Sequence, residues 1–256
     1  MHFYQVIIGT EILNRRRRDK HFDFLTEELL KRGETLYASF ILEDDRSLIA
    51  KAFELVKSDP ESVMFSFGGI GSTPDDLTRQ IAADVFTSSP LEVHEEAKRR
   101  ILDQFGKDAF PHRIHMAELP RGANLLDNPV NNVPGFSLES RFFFVPGFPK
   151  MAHPMIRQAL ERLLPDAKPM VRRTFTALVS ENDLIEMMQK VPDDVTLSSL
   201  PAFCGSRRIA VISLSGKDGG KIDSWYKKFI EFMNEKGIGW IEGDRHNDLD
   251  ICRTQA

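Results

Sequence analysis

The chain has 256 residues, of which 41% are hydrophobic and 28% charged, and its formal net charge is −4. This is the composition of a globular protein with one large domain or two smaller ones, and the negative charge argues against general nucleic-acid binding. No stretch approaches the roughly 20 apolar residues of a membrane span, and the start lacks the order of a signal peptide, so we expect a cytoplasmic protein without membrane contact.

Two local features of the composition bear on function. Cys204 and Cys252 lie far apart without a metal-ligand spacing, which predicts reduced thiols rather than a disulfide or a zinc site. The run of arginines from Arg15 to Arg18 is either a solvated face or a cationic surface that faces phosphate.

The N-terminal part alternates short apolar strands with amphipathic helices. The spacing predicts a strand over 3–9, a helix over 22–30, a strand over 35–42, a helix over 46–57 and a strand over 62–67. Strands separated by such helices favour a parallel sheet, whose ligands bind beyond the carboxyl ends of the strands. The sequence therefore predicts a functional edge where the first three strands end.

The rest of this domain is more irregular. We expect a helix over 91–105, an ordered loop rich in Pro, Gly and Asn over 119–136, a strand over 142–145, a Pro-Gly turn over 146–149 and a helix over 155–164. These elements close a first α/β domain over 1–167, with three α/β/α layers and a mostly parallel sheet.

The pattern of predicted strands and helices changes after residue 167. Strands over 172–179, 195–200, 207–215 and 238–242, with helices over 182–189 and 221–236, give the order βαββαβ. The economical fold for that order is a small ferredoxin-like α+β domain over 168–256, for assembly or as a lid, with a tail after Arg245 that we expect to be disordered.

The strongest local motif is the glycine-rich stretch over 68–78, which lies between a predicted strand and a predicted helix. Glycines let backbone approach a ligand closely, and free amides at a helix start attract phosphate. We therefore expect phosphate or nucleotide binding by Gly68, Gly69, Gly71, Ser72, Thr73, Asp75 and Thr78.

Two aspartates at this edge are candidates for chemistry. Asp44 follows the second strand and Asp76 follows the glycines, so both belong at one edge, where they would be catalytic and hold a divalent metal such as Mg, Mn or Co. An alternative without a ligand stays open for both. Thr73 would cap the helix, with Pro74 as its first residue and Asp76 completing a capping box, and Asp44 would serve the start of the helix that follows it.

Three further segments supply candidate ligand contacts. Gly9, Thr10 and Glu11 end the first strand, where Glu11 either faces a metal or serves a helix start. Two loops rich in proline could bind a base or a pterin ring through side-chain amides and backbone donors. Their candidate residues are Asn128, Pro134, Gly135, Pro146 and Gly147. Proline and asparagine also crowd into ordinary turns, so this evidence is weak by itself.

These blocks, taken in order, resemble the molybdopterin-binding (MoaB/Mog-like) domain family. The blocks are 9–13, 68–78, 119–123, 128–129, 134–136 and 145–149, and the resemblance covers roughly residues 1–165. More narrowly, the chain looks like the CinA-type branch, the competence/damage-inducible proteins, and like the N-terminal domain of eukaryotic FAD synthase. Residues after 165 do not resemble the C-terminal deamidase domain of full CinA proteins, so we do not expect nicotinamide mononucleotide deamidation.

The resemblance implies a phosphate-bearing ligand at the glycine-rich loop. In the CinA branch it implies metal-dependent hydrolysis of pyrophosphates such as ADP-ribose or FAD, and in the Mog-like branch molybdopterin binding or adenylylation. The family's functional acids match Asp44 and Asp76, which both branches share. This chain departs from the pattern at 15–20, where asparagines are usual, and at Met151, where glutamate is usual.

These residues and the resemblance are compatible with three functions. The first is a metal-dependent nucleotide pyrophosphatase, a hydrolase acting on a dinucleotide. The second is a molybdopterin-binding or adenylylating protein of molybdenum cofactor biosynthesis, and the third is a non-catalytic nucleotide-binding module. In each case we expect a small nucleotide or pterin ligand and a homo-oligomer, either a dimer or a trimer.

Overall fold

The computed structural model describes residues 1–204 and 207–245. Its internal contacts divide the chain into two units. The first comprises Met1–Leu29 and Thr35–Asp166, and the second comprises Leu30–Glu34 together with the residues from Ala167 onward. The predicted tail after Arg245, with Cys252, lies outside the described residues.

The first unit is built on a six-stranded sheet with a separate two-stranded ribbon. Its strands are β1 (His2–Ile8), β2 (Leu36–Leu42), β3 (Ser62–Phe67), β4 (Glu92–Val93), β5 (Glu118–Leu119), β6 (Asn124–Leu126), β7 (Gly135–Leu138) and β8 (Phe142–Val145). Its helices are α1 (Thr10–Leu13), α2 (His21–Leu30), α3 (Arg46–Ser58), α4 (Thr78–Ala82), α5 (Glu95–Phe105) and α6 (Pro149–Leu163).

The sheet order is β2-β1-β3-β8-β7-β6, and the first four strands are parallel. The mostly parallel sheet predicted from the sequence is confirmed. Two antiparallel strands, β6 and β7, extend it at the far edge. They arise from the stretch over 119–136 and the residues just after it, so the prediction of a wholly irregular loop there was wrong.

Helices cover both faces of this sheet, as the three-layer prediction requires. Tyr4, Val6 and Ile8 of β1 face a core shared with α3, α4 and α5, whereas Phe3 and Ile7 face a second core shared with α2 and α6. Burial on both faces explains why these strands are nearly continuous apolar runs rather than alternating ones. Their carboxyl ends are consequently the free edge at which loops form a site.

The second unit contains β9 (Val171–Ala177), α7 (Ile185–Met188), β10 (Thr196–Cys204), β11 (Arg207–Gly216), α8 (Gly219–Glu235) and β12 (Trp240–Glu242). A short 3-10 helix precedes α7. The sheet is antiparallel with the order β10-β11-β9-β12. This is the arrangement expected of βαββαβ, and the ferredoxin-like prediction is confirmed.

Aromatic side chains of the second unit pack on its own core. Phe175 and Phe229 are fully buried, and Trp225 and Trp240 pack against the same cluster while partly exposed. In the described part of the chain, no helix has both the length and the apolar character needed to cross a bilayer.

Candidate functional site

A cavity of about 450 Å³ lies where the parallel strands end. The loops after β1, β2, β3 and β8 all line it, so the edge predicted from the sequence is the place where the candidate residues meet. Backbone hydrogen bonds tie these loops together, because Gly9 N–H donates to Leu42 O at 3.0 Å and Gly68 N–H donates to Val145 O at 2.9 Å.

Most of the predicted residues line this cavity. They are Gly9, Glu11, Asp44, Gly68, Gly69, Gly71, Ser72, Thr73, Asp75, Asp76, Asn128, Pro134, Pro146 and Gly147. Thr10, Thr78 and Gly135 are not among the lining residues. The cavity therefore brings together residues from blocks that are far apart in the chain.

Two glycines of the loop after β3 are needed for the path of the backbone. Gly68 has φ 103°, and a Cβ there would lie 2.3 Å from Ile8 O. Gly69 has φ 68°, and its Cβ would lie 2.3 Å from the hydroxyl of Thr78. Any other residue would be strained and would clash. These glycines allow close packing within the protein, in addition to lining the cavity.

The buried Thr78 supports this loop from the protein side. Its hydroxyl donates to Gly68 O at 3.0 Å, and its backbone N–H donates to Gly69 O at 2.9 Å. The side chain is fully buried. Thr78 thus holds the loop and does not itself line the cavity. Gly135 is equally buried in β7, where a Cβ would lie 2.6 Å from Phe144 O.

The expected helix start at Thr73 was wrong. Helix α4 begins at Thr78, has only five residues and continues as a π-helix, and its N-cap residue is Leu77 without a side-chain cap. Residues 73–76 form a separate turn in which Asp76 N–H donates to Thr73 O at 3.0 Å. The loop amides therefore do not lie at the end of a regular helix, and the expected contribution of a helix dipole to this loop is absent.

Asp76 is fixed by Thr73 within that turn. The backbone N–H and the hydroxyl of Thr73 donate to Asp76 Oδ2 at 2.8 and 2.6 Å. Hydrogen bonding with the same threonine lowers the pKa of the neighbouring Asp75. One half of a capping box is thus present, since the Asp76 carboxylate accepts the Thr73 N–H, but no helix starts there.

Asp44 has the same arrangement with Thr10. The backbone N–H and the hydroxyl of Thr10 each donate to Asp44 Oδ2 at 2.9 Å. The cap of α3 is the next residue, Asp45, whose Oδ1 accepts from Leu48 N–H at 2.7 Å. The alternative of Asp44 as a helix cap is therefore wrong, and Asp44 instead connects the ends of β1 and β2.

Each aspartate keeps one carboxylate oxygen uncommitted. Within the part of the chain that the structure describes, Oδ1 of Asp44 and Oδ1 of Asp76 have no hydrogen-bond donor. Both residues line the same cavity. The site thus presents two acceptors whose carboxylates are each held in place by a threonine.

The residues do not form a complete metal site by themselves. Among the described residues, no group of three or more His, Cys, Asp or Glu side chains could hold an ion. Two carboxylates hold a hard cation only together with further oxygens, which water or phosphates supply for Mg²⁺. The two carboxylates therefore do not by themselves supply all the ligands of a metal ion.

Two arginines at the cavity each contact a phenylalanine ring. The guanidinium of Arg17 lies 5.2 Å from the centre of the Phe148 ring, and its Nη1 is 3.6 Å from Glu11 Oε1. The guanidinium of Arg113 lies 4.6 Å from the centre of the Phe105 ring. These distances are those of cation–π contacts, and all five residues line the cavity.

Sequence reasoning missed much of the apolar wall. Besides the two phenylalanines, the apolar lining comprises Ile8, Ile70, Met116, Val133 and Met151. The polar Asn131 lines the cavity as well. Met151 occupies the position where the resembled family usually has glutamate, so an apolar group replaces an acid at this place. Asn128 shapes the loop here, since its Nδ2 donates to Asn131 Oδ1 at 2.7 Å and to Val133 O at 3.0 Å.

A buried arginine holds the glycine-rich loop from behind. Arg79 is only 8% exposed, and its guanidinium donates to Gly71 O at 2.8 Å, to Glu118 O at 3.0 Å and to His115 O. Burial lowers the pKa of Arg79, against the attraction of Asp76 and Glu118. This residue was not predicted, because an arginine on a short helix is ordinarily solvated.

Two histidines pack near the turn after β8. The ring of His21 stacks on Phe67 and its Nε2 lies 3.3 Å from Gly147 O. His153 stacks on Phe24 with ring centres 3.7 Å apart. Burial lowers the pKa of His21, and burial with the nearby His21 and Arg157 lowers the pKa of His153 to about 4. Both rings are therefore neutral at neutral pH.

A mostly parallel sheet with helices on both faces, and a glycine-rich loop at its carboxyl edge, define a ligand-binding α/β domain. The chain matches the family described as "Probable molybdopterin binding domain" over residues 5–185. Because this match covers more than half of its length, the chain belongs to that family, in its CinA-like branch.

Individual relatives agree with this family membership. A competence-damage inducible protein of Alkaliphilus metalliredigens is 26% identical over 242 residues, which are 90% of this chain and 58% of that protein. A CinA-like protein of Deinococcus radiodurans is 30% identical over 201 residues, which are 72% of this chain and 48% of that protein. The chain thus spans little more than half, or less, of these relatives' length.

A solved structure shows the same architecture. The protein CinA from Thermoplasma acidophilum, described as having unknown function, has a TM-score of 0.58 and 26% identity to this chain. The match covers 64% of this chain and 99% of that one. The shared part is therefore of the size of the first unit.

Proposed function

We propose that the cavity binds a phosphorylated heteroaromatic ligand, either a pterin such as molybdopterin or a nucleotide. The observation that carries this proposal is the pair of uncommitted oxygens on Asp44 and Asp76 in a cavity that also has an apolar wall. Aminopyrimidine edges of pterins and purines present N–H donors, and a carboxylate is a strong acceptor for them. The apolar wall suits the flat faces of such rings.

The arginines supply the other half of the recognition. Arg17 and Arg113 lie on the same cavity, each against a phenylalanine ring. Guanidinium groups recognise phosphate through paired N–H donors, and the adjoining ring fixes their orientation. Oε1 of Glu11 lies 3.6 Å from Nη1 of Arg17, and a ligand phosphate would compete with this carboxylate for the guanidinium.

Titration calorimetry with molybdopterin, AMP and GMP tests the proposal. We expect at least one to bind, and we expect Asp44→Asn and Asp76→Asn each to weaken that binding about tenfold or more, because an amide replaces an acceptor oxygen. Asp45→Asn is the matched control, since it changes the neighbouring aspartate, which caps α3 and does not line the cavity. Failure of all three ligands to bind would contradict the proposal.

A second candidate is hydrolysis of a dinucleotide pyrophosphate with a divalent cation. The same two oxygens favour it, because they suit a cation that is carried by a pyrophosphate. Incubation with ADP-ribose, FAD or NADH and Mg²⁺, Mn²⁺ or Co²⁺ should then release AMP, and Asp76→Asn should abolish the release. Binding without turnover in any combination would leave a non-catalytic binding protein.

The predicted homo-oligomer is a separate proposal. Light scattering on the purified chain would distinguish a dimer or a trimer from a monomer.

A further inference from the structure

The segment between α1 and α2 carries five cations among six residues, at Arg15, Arg16, Arg17, Arg18 and Lys20. Arg17 is paired with Glu11 at 3.6 Å. Within the described residues, the other four have no carboxylate within ion-pair distance. The segment therefore presents an excess of positive charge that the protein itself does not neutralise.

The segment follows a defined course. Arg15 has φ 61°, in the left-handed region, and its N–H donates to Ile12 O at 3.2 Å. Arg17 N–H donates to Glu11 O at 3.0 Å. At the far end, the Asp19 carboxylate accepts from His21 N–H at 2.8 Å and Phe22 N–H at 3.0 Å, which satisfies the first amides of α2. The cations are thus held together by a folded loop, despite their mutual repulsion.

Two depressions are formed by this segment, and both adjoin the main cavity. One, of about 460 Å³, is lined by Arg15, Arg17 and Arg18, with Ile12 and Asp19. The other, of about 290 Å³, is lined by Arg17, Arg18 and Lys20, with Gly147 among its remaining residues. Arg17 lines the main cavity and both depressions, and Gly147 also lines the main cavity. Arg17 is therefore the residue that the main cavity and this cationic surface have in common.

We infer that Arg15, Arg17, Arg18 and Lys20, here called the arginine shelf, bind a second phosphate group of the ligand whose ring occupies the cavity. The ligand class is then a diphosphate or dinucleotide rather than a monophosphate. This inference rests on the proposed function, since it needs the ring of the same ligand in the cavity. Asp19 also lines the shelf, but its carboxylate is engaged by the amides of α2.

The test compares monophosphates with diphosphates. The affinity of the purified chain is measured for AMP and ADP, and for GMP and GDP, at low and high salt. We expect the diphosphate of at least one pair to bind about tenfold more tightly, with an advantage that shrinks as salt rises. The double variant Arg15→Gln/Arg18→Gln should reduce this ratio to about 1–2 and leave monophosphate affinity unchanged, because the removed charges contact only the second phosphate.

Arg16→Gln is the matched control. It removes one positive charge from the same segment, where the double variant removes two, but Arg16 lines neither depression, so the ratio should stay as in the unaltered chain. An equal loss in the control and the double variant would mean a general field effect and would overturn the inference.

The possible outcomes distinguish failure of the arginine-shelf inference from failure of the proposed function. Monophosphate binding with a ratio near one in the unaltered chain would overturn the shelf and leave the proposed function standing. Molybdopterin binding without any nucleotide binding would have the same meaning. If no ligand binds, both proposals fail.

Discussion

Replacing Arg79 by methionine removes the charge that holds the glycine-rich loop while keeping most of the apolar stem. The guanidinium makes three hydrogen bonds to carbonyl oxygens, of Gly71, His115 and Glu118, and the side chain is 8% exposed. A hydrogen bond from a charged group contributes about 1.5–3 kcal/mol. Methionine leaves the carbonyls without a donor, but the cost of burying the charge is also removed. We expect a net loss of about 3 kcal/mol in the free energy of unfolding.

Two measurements check this expectation. Denaturant unfolding followed by circular dichroism gives the change in unfolding free energy, and hydrogen exchange of the peptide over 68–79 reports on the loop itself. Exchange there should quicken, since the loop loses its anchor at Gly71. Ligand binding in the cavity should weaken as well, because Gly71 lines it.

Arg46→Met is the control for this variant. Arg46 pairs with Asp84 at 3.0 Å, but both side chains are about half exposed, at 53% and 50%. Such pairs contribute little, about 0–1 kcal/mol. A loss below about 1 kcal/mol for Arg79→Met, or a loss equal to that of the control, would refute the role of Arg79 as the anchor of the loop.

Three further results are expected. Gly69→Ala should destabilise the fold by about 2–4 kcal/mol in thermal denaturation, because φ is positive and the new Cβ would lie 2.3 Å from a buried hydroxyl. The control Gly106→Ala, with φ 54° and no atom within 4 Å of the new Cβ, should cost about 1 kcal/mol in the same assay. Equal losses in the two variants would contradict this expectation. The unfolding free energy should fall by about 1–2 kcal/mol as the pH drops from 6.5 to about 4, since His153 takes up a proton in the unfolded chain and the partly buried ring of the folded protein does not. His153→Leu should weaken this dependence in denaturant titrations at several pH values. An unchanged pH profile in the variant would contradict the expectation. Asp45→Ala should lower the free energy of unfolding by about 1 kcal/mol and leave ligand affinity intact, because Asp45 caps α3. Asp44→Ala should reduce ligand affinity, because Asp44 lines the cavity. The opposite pattern would mean that the roles of the two residues are reversed.

The architecture was predictable because burial leaves a direct signal in this sequence. Strands covered on both faces, such as β1 and β3, are nearly continuous apolar runs, and helices of ordinary length separate them. The short strands β6 and β7 were missed, since three or four residues among prolines and glycines carry no readable alternation.

The start of α4 could not be read from local pattern. Thr73, Pro74 and Asp76 have the spacing of a capped helix, and the hydrogen bonds between Thr73 and Asp76 are indeed made. The same bonds also close an isolated turn, so the side chains alone do not decide whether a helix follows. A comparable ambiguity lay in the neighbouring aspartates at 44 and 45, where the backbone geometry gives the cap to the second.

The rest of the site depends on contacts between distant residues. Arg113 and Phe105 reach the cavity from segments that showed no motif, and Arg79 acts through carbonyls up to 39 residues away. The spacing of residues along the chain gives no information on such pairs. The acids were identified because Asp44 follows the end of a strand and Asp76 follows the glycine-rich turn, and Arg17 belongs to a run of arginines that the sequence shows directly. Arg113 and the apolar wall were not identified.

The positions of the indole groups decide what fluorescence can report. Both tryptophans of the chain, Trp225 and Trp240, pack on the core of the second unit, while every residue around the cavity belongs to the first. Neither indole therefore lines the cavity. A tryptophan introduced by Phe148→Trp would place a light-emitting group beside Arg17, where quenching or enhancement would signal occupancy directly.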